Sequence, residues 1–107
     1  MSELVQDLPA DPQFLERVEA HIGFANQKAG QVPSPLVAGS LTYAAARFNA
    51  WLLTNSSVSP EDMKARRDSA IAHLVDHYRK HLEQNYDDFQ ANYATYMPAG
   101  VQTRPKL

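Results

Sequence analysis

Apolar residues recur along this chain at three- and four-residue steps, which is the spacing of amphipathic helices. The clearest stripe lies in the second half of the sequence and contains Ile71, Leu74, Val75, Tyr78 and Leu82. At 100° per residue these positions fall within an arc of about 100°, the width of a helix face that packs on a core. No segment alternates apolar and polar residues as a strand does. The pattern predicts an all-α fold, a small antiparallel helical bundle of three main helices plus a short C-terminal helical segment.

Capping residues set the predicted boundaries of these helices. A side-chain acceptor followed by proline suits the start of a helix, and this pair occurs at Asp11-Pro12, Ser34-Pro35 and Ser59-Pro60. Gly30 is expected to end the first helix, and Asn55 is expected to take a left-handed conformation after the second. Asp62 stands three residues after Ser59, where the acidic residue of a capping box belongs.

The apolar pattern continues beyond the third helix through an aromatic run, Tyr86, Phe89, Tyr93 and Tyr96. Either one helix covers residues 60–97 or a break interrupts it. We favour a break near Asn85, because a helix of that length exceeds the usual globular range. The aromatic run either folds back on its own domain or contacts a second chain, since tyrosine is enriched at interfaces.

These boundaries divide the chain into three parts. Residues 1–10 are predicted to be a flexible polar lead-in, residues 11–97 a single helical domain, and residues 98–107 a disordered tail. A chain of 107 residues is long enough for one domain of ordinary size.

The second helix contains the stretch YAAARFNAW, residues 43 to 51. It is apolar around more of its circumference than the other helices, which favours a buried position among them. Tyr43, Arg47 and Trp51 lie at i, i+4 and i+8, so Arg47 can make a cation–π contact with either ring. The alternative is that these three residues contact a ligand or a partner, with Arg47 as an anion anchor.

Composition removes several classes of function. The net charge is −2, and the small basic cluster at residues 64–67 is interpreted as solvated surface, so no nucleic-acid partner is predicted. The chain has no cysteine and therefore no disulfide framework and no thiolate nucleophile. No apolar run approaches the ~20 residues that span a membrane, and the N-terminus lacks the pattern of a signal peptide. These features predict a cytoplasmic protein without a membrane partner.

Three histidines follow one another at helical spacing in the third helix: His73, His77 and His81. Two histidines at i and i+4 can chelate zinc, nickel or copper. The outer pair is about 12 Å apart along the helix axis, so a third ligand would have to come from elsewhere, such as His21, Asp76 or a glutamate of another helix. The alternative is three partly exposed histidines beside the apolar stripe that hold no metal.

Three segments carry a resemblance to a known family: IGFANQ at 22–27, YAAARFNAW at 43–51 and YRKHLEQNYDDF at 78–89. The AARFNA part resembles the signature of a family of small proteobacterial proteins of unknown function. The likeness covers residues 14–89. It implies a bacterial cytoplasmic helical protein, and it implies no activity, cofactor or catalytic residue.

No enzyme motif stands out in the sequence. It has no nucleophile elbow and no glycine-rich phosphate loop, and no glutamate follows His73 as the metalloprotease pattern requires. No cofactor is predicted. The function that we expect is protein–protein association, with a second copy as the simplest partner. Two alternatives stay open: a metal-binding protein using the histidines, and a small helical enzyme or ligand binder with a pocket around Arg47.

Overall fold

Helices account for most of the chain in the computed structural model, which describes residues 11–99 and 104–105. They are α1 (Phe14–Ala29), α2 (Ser34–Asn55), α3 (Pro60–Ala91) and the single turn α4 (Tyr93–Tyr96). Successive helices pack on one another: α1 on α2, α2 on α3, and α4 on the end of α3. No strand occurs within the described ranges, and the predicted all-α class is confirmed.

The start of α1 is fixed by an aspartate that precedes it. Asp11 Oδ1 accepts a hydrogen bond from the Gln13 backbone N–H at 3.0 Å. The same carboxylate pairs with Arg17 one turn into the helix. The hydrogen bond from Arg17, followed by the one from Gln13, lowers the pKa of Asp11 below its ordinary value. Gly30 is the C-cap of α1 as predicted, but the N-cap is Gln13 and the first helical residue is Phe14, two residues after the predicted Asp11 and Pro12.

The start of α3 has a variant of the predicted capping box, in which the Asp62 carboxylate accepts from the residue before the N-cap Ser59. Ser59 Oγ accepts from the Asp62 backbone N–H at 3.0 Å, and Asp62 Oδ2 accepts from the Val58 backbone N–H at 3.1 Å. Arg66 pairs with the same carboxylate at 3.2 Å. The Val58 hydrogen bond first, and then Arg66, lower the pKa of Asp62. Two donors at this helix end are thereby satisfied reciprocally.

The boundaries of α2 differ in detail from the prediction. Ser34 is the first helical residue and its side chain makes no capping hydrogen bond; Pro33 occupies the N-cap position. Asn55 is the last residue of α2 and not a left-handed residue beyond it. The C-cap is Ser56, with a right-handed φ of −94°. The predicted role of Asn55 is therefore wrong.

The predicted break near Asn85 is also wrong. Residues Pro60–Ala91 form one continuous helix of 32 residues, and the chain leaves it only at Asn92. Asn85 Nδ2 donates to the His81 carbonyl at 2.7 Å, a bond back to residue i−4 that a helix interior accommodates. The short C-terminal segment is α4, which begins eight residues after the expected break at Asn85.

The described chain has almost no interior. Val37 is its one buried hydrophobic residue, with 8% of its surface exposed. The radius of gyration is 16.6 Å, whereas a compact domain of this length has a radius of about 13 Å. Three helices that pack mainly on their chain neighbours do not enclose a core.

The expectation that α2 is buried among its partners was wrong for the single chain. Phe48, Trp51 and Leu52 expose 62%, 56% and 45% of their surfaces. A physical reason is length: α1 has 16 residues and α2 has 22, so α1 leaves part of α2 uncovered.

Two residues near the C-terminus lie against α1. Asn26 Nδ2 donates to the Pro105 carbonyl at 2.9 Å, and Arg104 Nη1 donates to the Asn26 carbonyl at 3.4 Å. The predicted flexible lead-in, residues 1–10, lies outside the described residues. So do residues 100–103 and 106–107 of the predicted tail, for which disorder stays a prediction.

Candidate functional site

The most unusual surface of the molecule is one face of α3. We call it the apolar stripe and define it by six residues: Ile71, Val75, Tyr78, Leu82, Tyr86 and Phe89. Their steps of three and four residues keep them within an arc of about 80° at 100° per residue. Their exposed fractions run from 36% at Phe89 to 67% at Tyr86. Such spacing is typical of a helix that packs lengthwise against another helix.

The sequence pattern predicts that this face of α3 packs on the core of its own chain, whereas the structure leaves it exposed. The half-buried positions of α3 form a different row: Asp62, Arg66, Ala70, Leu74, His77 and His81. Of the five residues predicted to face the core, only Leu74 belongs to this row. The helix is therefore rotated so that a largely polar row lies against the rest of the chain, and the prediction was wrong for the other four.

The C-terminal end of the stripe is aromatic. The Phe89 and Tyr96 rings lie 4.5 Å apart at an angle of 55°, so α4 folds back on the end of α3. Tyr86 and Tyr93 remain 67% exposed. Beside these rings runs a groove of about 480 Å³ whose lining also includes Leu82. One tyrosine of the predicted aromatic run thus folds back, and two face outward.

The N-terminal end of the stripe is concave. A cavity of about 420 Å³ lies where α2 meets α3, and we call it the corner cavity. Its apolar floor includes Leu53, Met63 and Ile71. Its rim carries the cations Lys64, Arg66 and Arg67. The sequence prediction missed this cavity. Apolar residues on both sides of a short connection, such as Leu53 and Met63, were the available signal.

The three histidines do not share one environment. His73 is exposed, whereas His77 and His81 are half-buried on the inner row of α3. The ring centroids of His73 and His77 lie 4.0 Å apart, and the two ring planes are inclined at 59°. Nε2 of His81 is enclosed and has no hydrogen-bond partner among the described residues. Burial, followed by the charges of His73 and His81, lowers the pKa of His77.

A complete metal site is not assembled by these histidines. Nowhere in residues 11–99 and 104–105 do three His, Cys, Asp or Glu side chains gather as a metal site requires. Asp76, one predicted third ligand, pairs with Lys80 at 3.1 Å. The chain therefore brings together two imidazoles, those of His73 and His77, and other ligands would have to be water or come from another molecule.

The predicted Arg47 constellation is an open surface. Tyr43, Arg47 and Trp51 line a shallow groove of about 500 Å³ on α2 alone. Tyr43 is 68% exposed and Trp51 is 56% exposed. The predicted cation–π contact of Arg47 is not among the ring contacts of the described chain, where Lys28 lies over Phe24 instead. A groove walled by one helix does not exclude water, so it offers an anion little more than a surface cation does.

In the described part of the chain, no helix is both long and apolar enough to cross a bilayer. No curated protein matches this chain, and neither does any solved structure. A family model described as a protein of unknown function, DUF3144, matches residues 14–90, a span that includes α1, α2 and nearly all of α3. By that match, over most of its length, the chain belongs to the DUF3144 family.

Proposed function

We propose that this protein works by self-association, and that the apolar stripe of α3 is the surface that a second copy covers. The observation that supports this most directly is the exposure of the stripe, because soluble monomers rarely expose a contiguous apolar patch of this kind. Val75, Tyr78 and Leu82 form its centre and are 60%, 56% and 50% exposed. In this reading the protein is a bacterial cytoplasmic interaction protein and not an enzyme.

The size of the stripe suits a partner of the same kind. The aromatic and aliphatic side chains of the stripe are about half exposed. Together with the neighbouring Tyr93 they present on the order of 600–800 Å² of accessible surface to a partner. A standard interface buries about 800 Å² on each partner. A second copy supplies a matching stripe, and the two chains together would form the antiparallel helical bundle that one chain leaves incomplete.

Two variants on neighbouring positions of α3 test this proposal. Leu82→Glu places a charge in the stripe, whereas Gln84→Glu places the same charge on a different, exposed face. Because a two-fold dimer carries each substitution twice, we expect Leu82→Glu to weaken association by at least about 100-fold. Gln84→Glu is expected to leave it unchanged. Sedimentation equilibrium at low micromolar concentration measures both, with circular dichroism as the check on helix content.

A wild-type protein that sediments as a monomer up to high micromolar concentration would contradict self-association. Equal weakening by both glutamates would contradict the choice of the stripe as the interface. The experiment uses the full chain without a histidine tag.

The 4.0 Å approach of the His73 and His77 rings supports metal binding as a second candidate function. Two imidazoles one turn apart suit copper, nickel or zinc, with copper(II) bound most tightly. Because only two protein ligands meet, we expect an exchangeable site with open positions.

Calorimetric titration with Cu²⁺ or Ni²⁺ tests this candidate. His77→Ala is expected to abolish the binding. His21→Ala is the matched control, because His21 is exposed on α1 and does not gather with His73 and His77 into a three-ligand group. Equal metal binding by the wild type and by His77→Ala would contradict a metal site at His73 and His77, because the metal would then bind elsewhere. Neither result bears on association through the stripe.

A further inference from the structure

The two ends of the apolar stripe have complementary shapes. At its N-terminal end lies the corner cavity, about 420 Å³ with an apolar floor that includes Ile71. At its C-terminal end Tyr86 and Tyr93 project, each 67% exposed. One end of the stripe is therefore concave and apolar, and the other end carries projecting aromatic side chains that could fill such a cavity.

We infer that the second copy packs on the stripe in antiparallel orientation, with the aromatic end of each α3 over the corner cavity of the other. This inference rests on the proposed self-association and adds its orientation and register. A parallel pair would place the two cavities side by side at one end and the two aromatic clusters at the other. An antiparallel pair fills both cavities, and the two contacts are equivalent by the two-fold axis.

The positions of the stripe residues fit this orientation. In an antiparallel pair the numbers of facing residues have a nearly constant sum. With Tyr78 of both copies beside the two-fold axis, Val75 faces Leu82 and Ile71 faces Tyr86 of the other copy. All of these side chains lie in the exposed stripe, so the layers that they form are apolar, whereas Phe89 faces Arg67 of the other copy.

Charge favours the same orientation. Lys64 and Arg67 continue the line of the stripe at its N-terminal end and lie on the rim of the corner cavity. Lys64 forms no ion pair among the residues that the structure describes. A parallel pair would bring two copies of each cation together, which is unfavourable. The antiparallel pair brings Lys64 near the aromatic end of the other copy, where a cation can lie over an aromatic face.

The absence of cysteine from the chain allows a direct test. Single variants Tyr78→Cys, Val75→Cys and Leu82→Cys are oxidised alone, and Val75→Cys is also oxidised in a mixture with Leu82→Cys. Asp76→Cys, an exposed position outside the stripe, is the control. In the antiparallel pair the two Val75 positions lie about 10 Å apart along the axis, beyond the ~7 Å between Cα atoms that a disulfide spans. Mass spectrometry distinguishes the mixed dimer from the two symmetric ones.

The expected result is a strong cross-link for Tyr78→Cys and a mixed Val75–Leu82 dimer formed severalfold more than the Val75–Val75 dimer. A Val75–Val75 dimer formed as readily as the mixed one would overturn the antiparallel orientation while leaving self-association intact. Cross-linking of Asp76→Cys as strong as that of Tyr78→Cys would place the contact on another face. If the unmodified wild type is a monomer by sedimentation, the proposed function itself fails. Circular dichroism of each reduced variant shows that it remains folded.

Discussion

Tyr96 is held against the end of α3 by two contacts that involve neighbouring residues. Its ring packs on Phe89 at 4.5 Å between centroids, and its hydroxyl donates to Asp88 Oδ2 at 2.8 Å. Asp88 also accepts from Asn92 Nδ2 at 2.9 Å, so one carboxylate holds both the helix end and the turn that follows. Asp88 therefore anchors both the end of α3 and Tyr96 of α4, and the Phe89 ring supports the same orientation.

The titration of Tyr96 should report this contact. The hydrogen bond to Asp88, with burial and the carboxylate charge, raises the pKa of Tyr96 above its ordinary value of 10.0. Since the folded-state pKa is raised, the contact contributes stability at neutral pH that is lost as the pH rises through that pKa. We expect Asp88→Asn to lower the pKa of Tyr96 and Asp87→Asn to leave it unchanged, as measured by NMR titration of the tyrosine rings. Equal shifts in both variants would contradict a specific contact.

Mild acid should destabilise the fold through His77. Burial and the neighbouring His73 and His81 lower its folded-state pKa below the ordinary 6.5. Between the lowered pKa and 6.5 the unfolded state binds more protons, so stability falls as the pH drops through this window and levels off below it. We expect His77→Gln to reduce this acid sensitivity in urea unfolding at constant ionic strength. His21→Gln serves as the control, and an unchanged pH profile in His77→Gln would refute the assignment.

The capping box of α3 should contribute measurably to stability. Ser59→Ala removes the acceptor of the Asp62 N–H, and we expect a loss of about 1 kcal/mol in the free energy of unfolding. Ser34→Ala is a matched control, because Ser34 begins α2 without a capping bond and should change stability by less than about 0.5 kcal/mol. Urea denaturation of both variants measures the two losses in the free energy of unfolding. Equal losses would show that the hydrogen bond to Ser59 adds no stability of its own.

Val37, the one buried side chain among residues 11–99 and 104–105, should be the most sensitive valine. Val37 is 8% exposed and Val58 is 90% exposed. We expect Val37→Ala to cost about 1–2 kcal/mol through lost burial and a residual cavity, and Val58→Ala to stay within about 0.5 kcal/mol. Thermal unfolding at a fixed protein concentration compares the two. Val37 lines a concave surface together with Ile22 and Ala25 of α1, so a small effect would mean that the α1–α2 contact contributes little to the fold.

Local chemistry was predictable from the sequence, and the rotation of helices was not. Ser59, Pro60 and Asp62 specify the start of α3 by short-range contacts, so the capping box was found where it was expected. Asn85 misled the prediction because an asparagine is a good cap but is also tolerated inside a helix when its amide bonds back to residue i−4.

Which face of α3 meets its own chain depends on long-range packing. The periodicity of apolar residues located the apolar stripe. The prediction that the stripe points inward rested on the assumption that an apolar face always packs within its own chain. Such a face points toward whatever covers it, and a second molecule serves as well as a neighbouring helix. The corner cavity was missed for the same reason, since it exists only where α2 and α3 meet.

Burial of so little apolar surface in the described part of the chain has a consequence for the lifetime of the protein in a cell. A chain whose described interior amounts to Val37 opens readily, and proteases cleave what is transiently open. If copies pair as proposed, each newly made chain is a substrate for degradation until it meets another. The steady amount of protein would then rise more steeply than its rate of synthesis, because pairing becomes faster as chains accumulate.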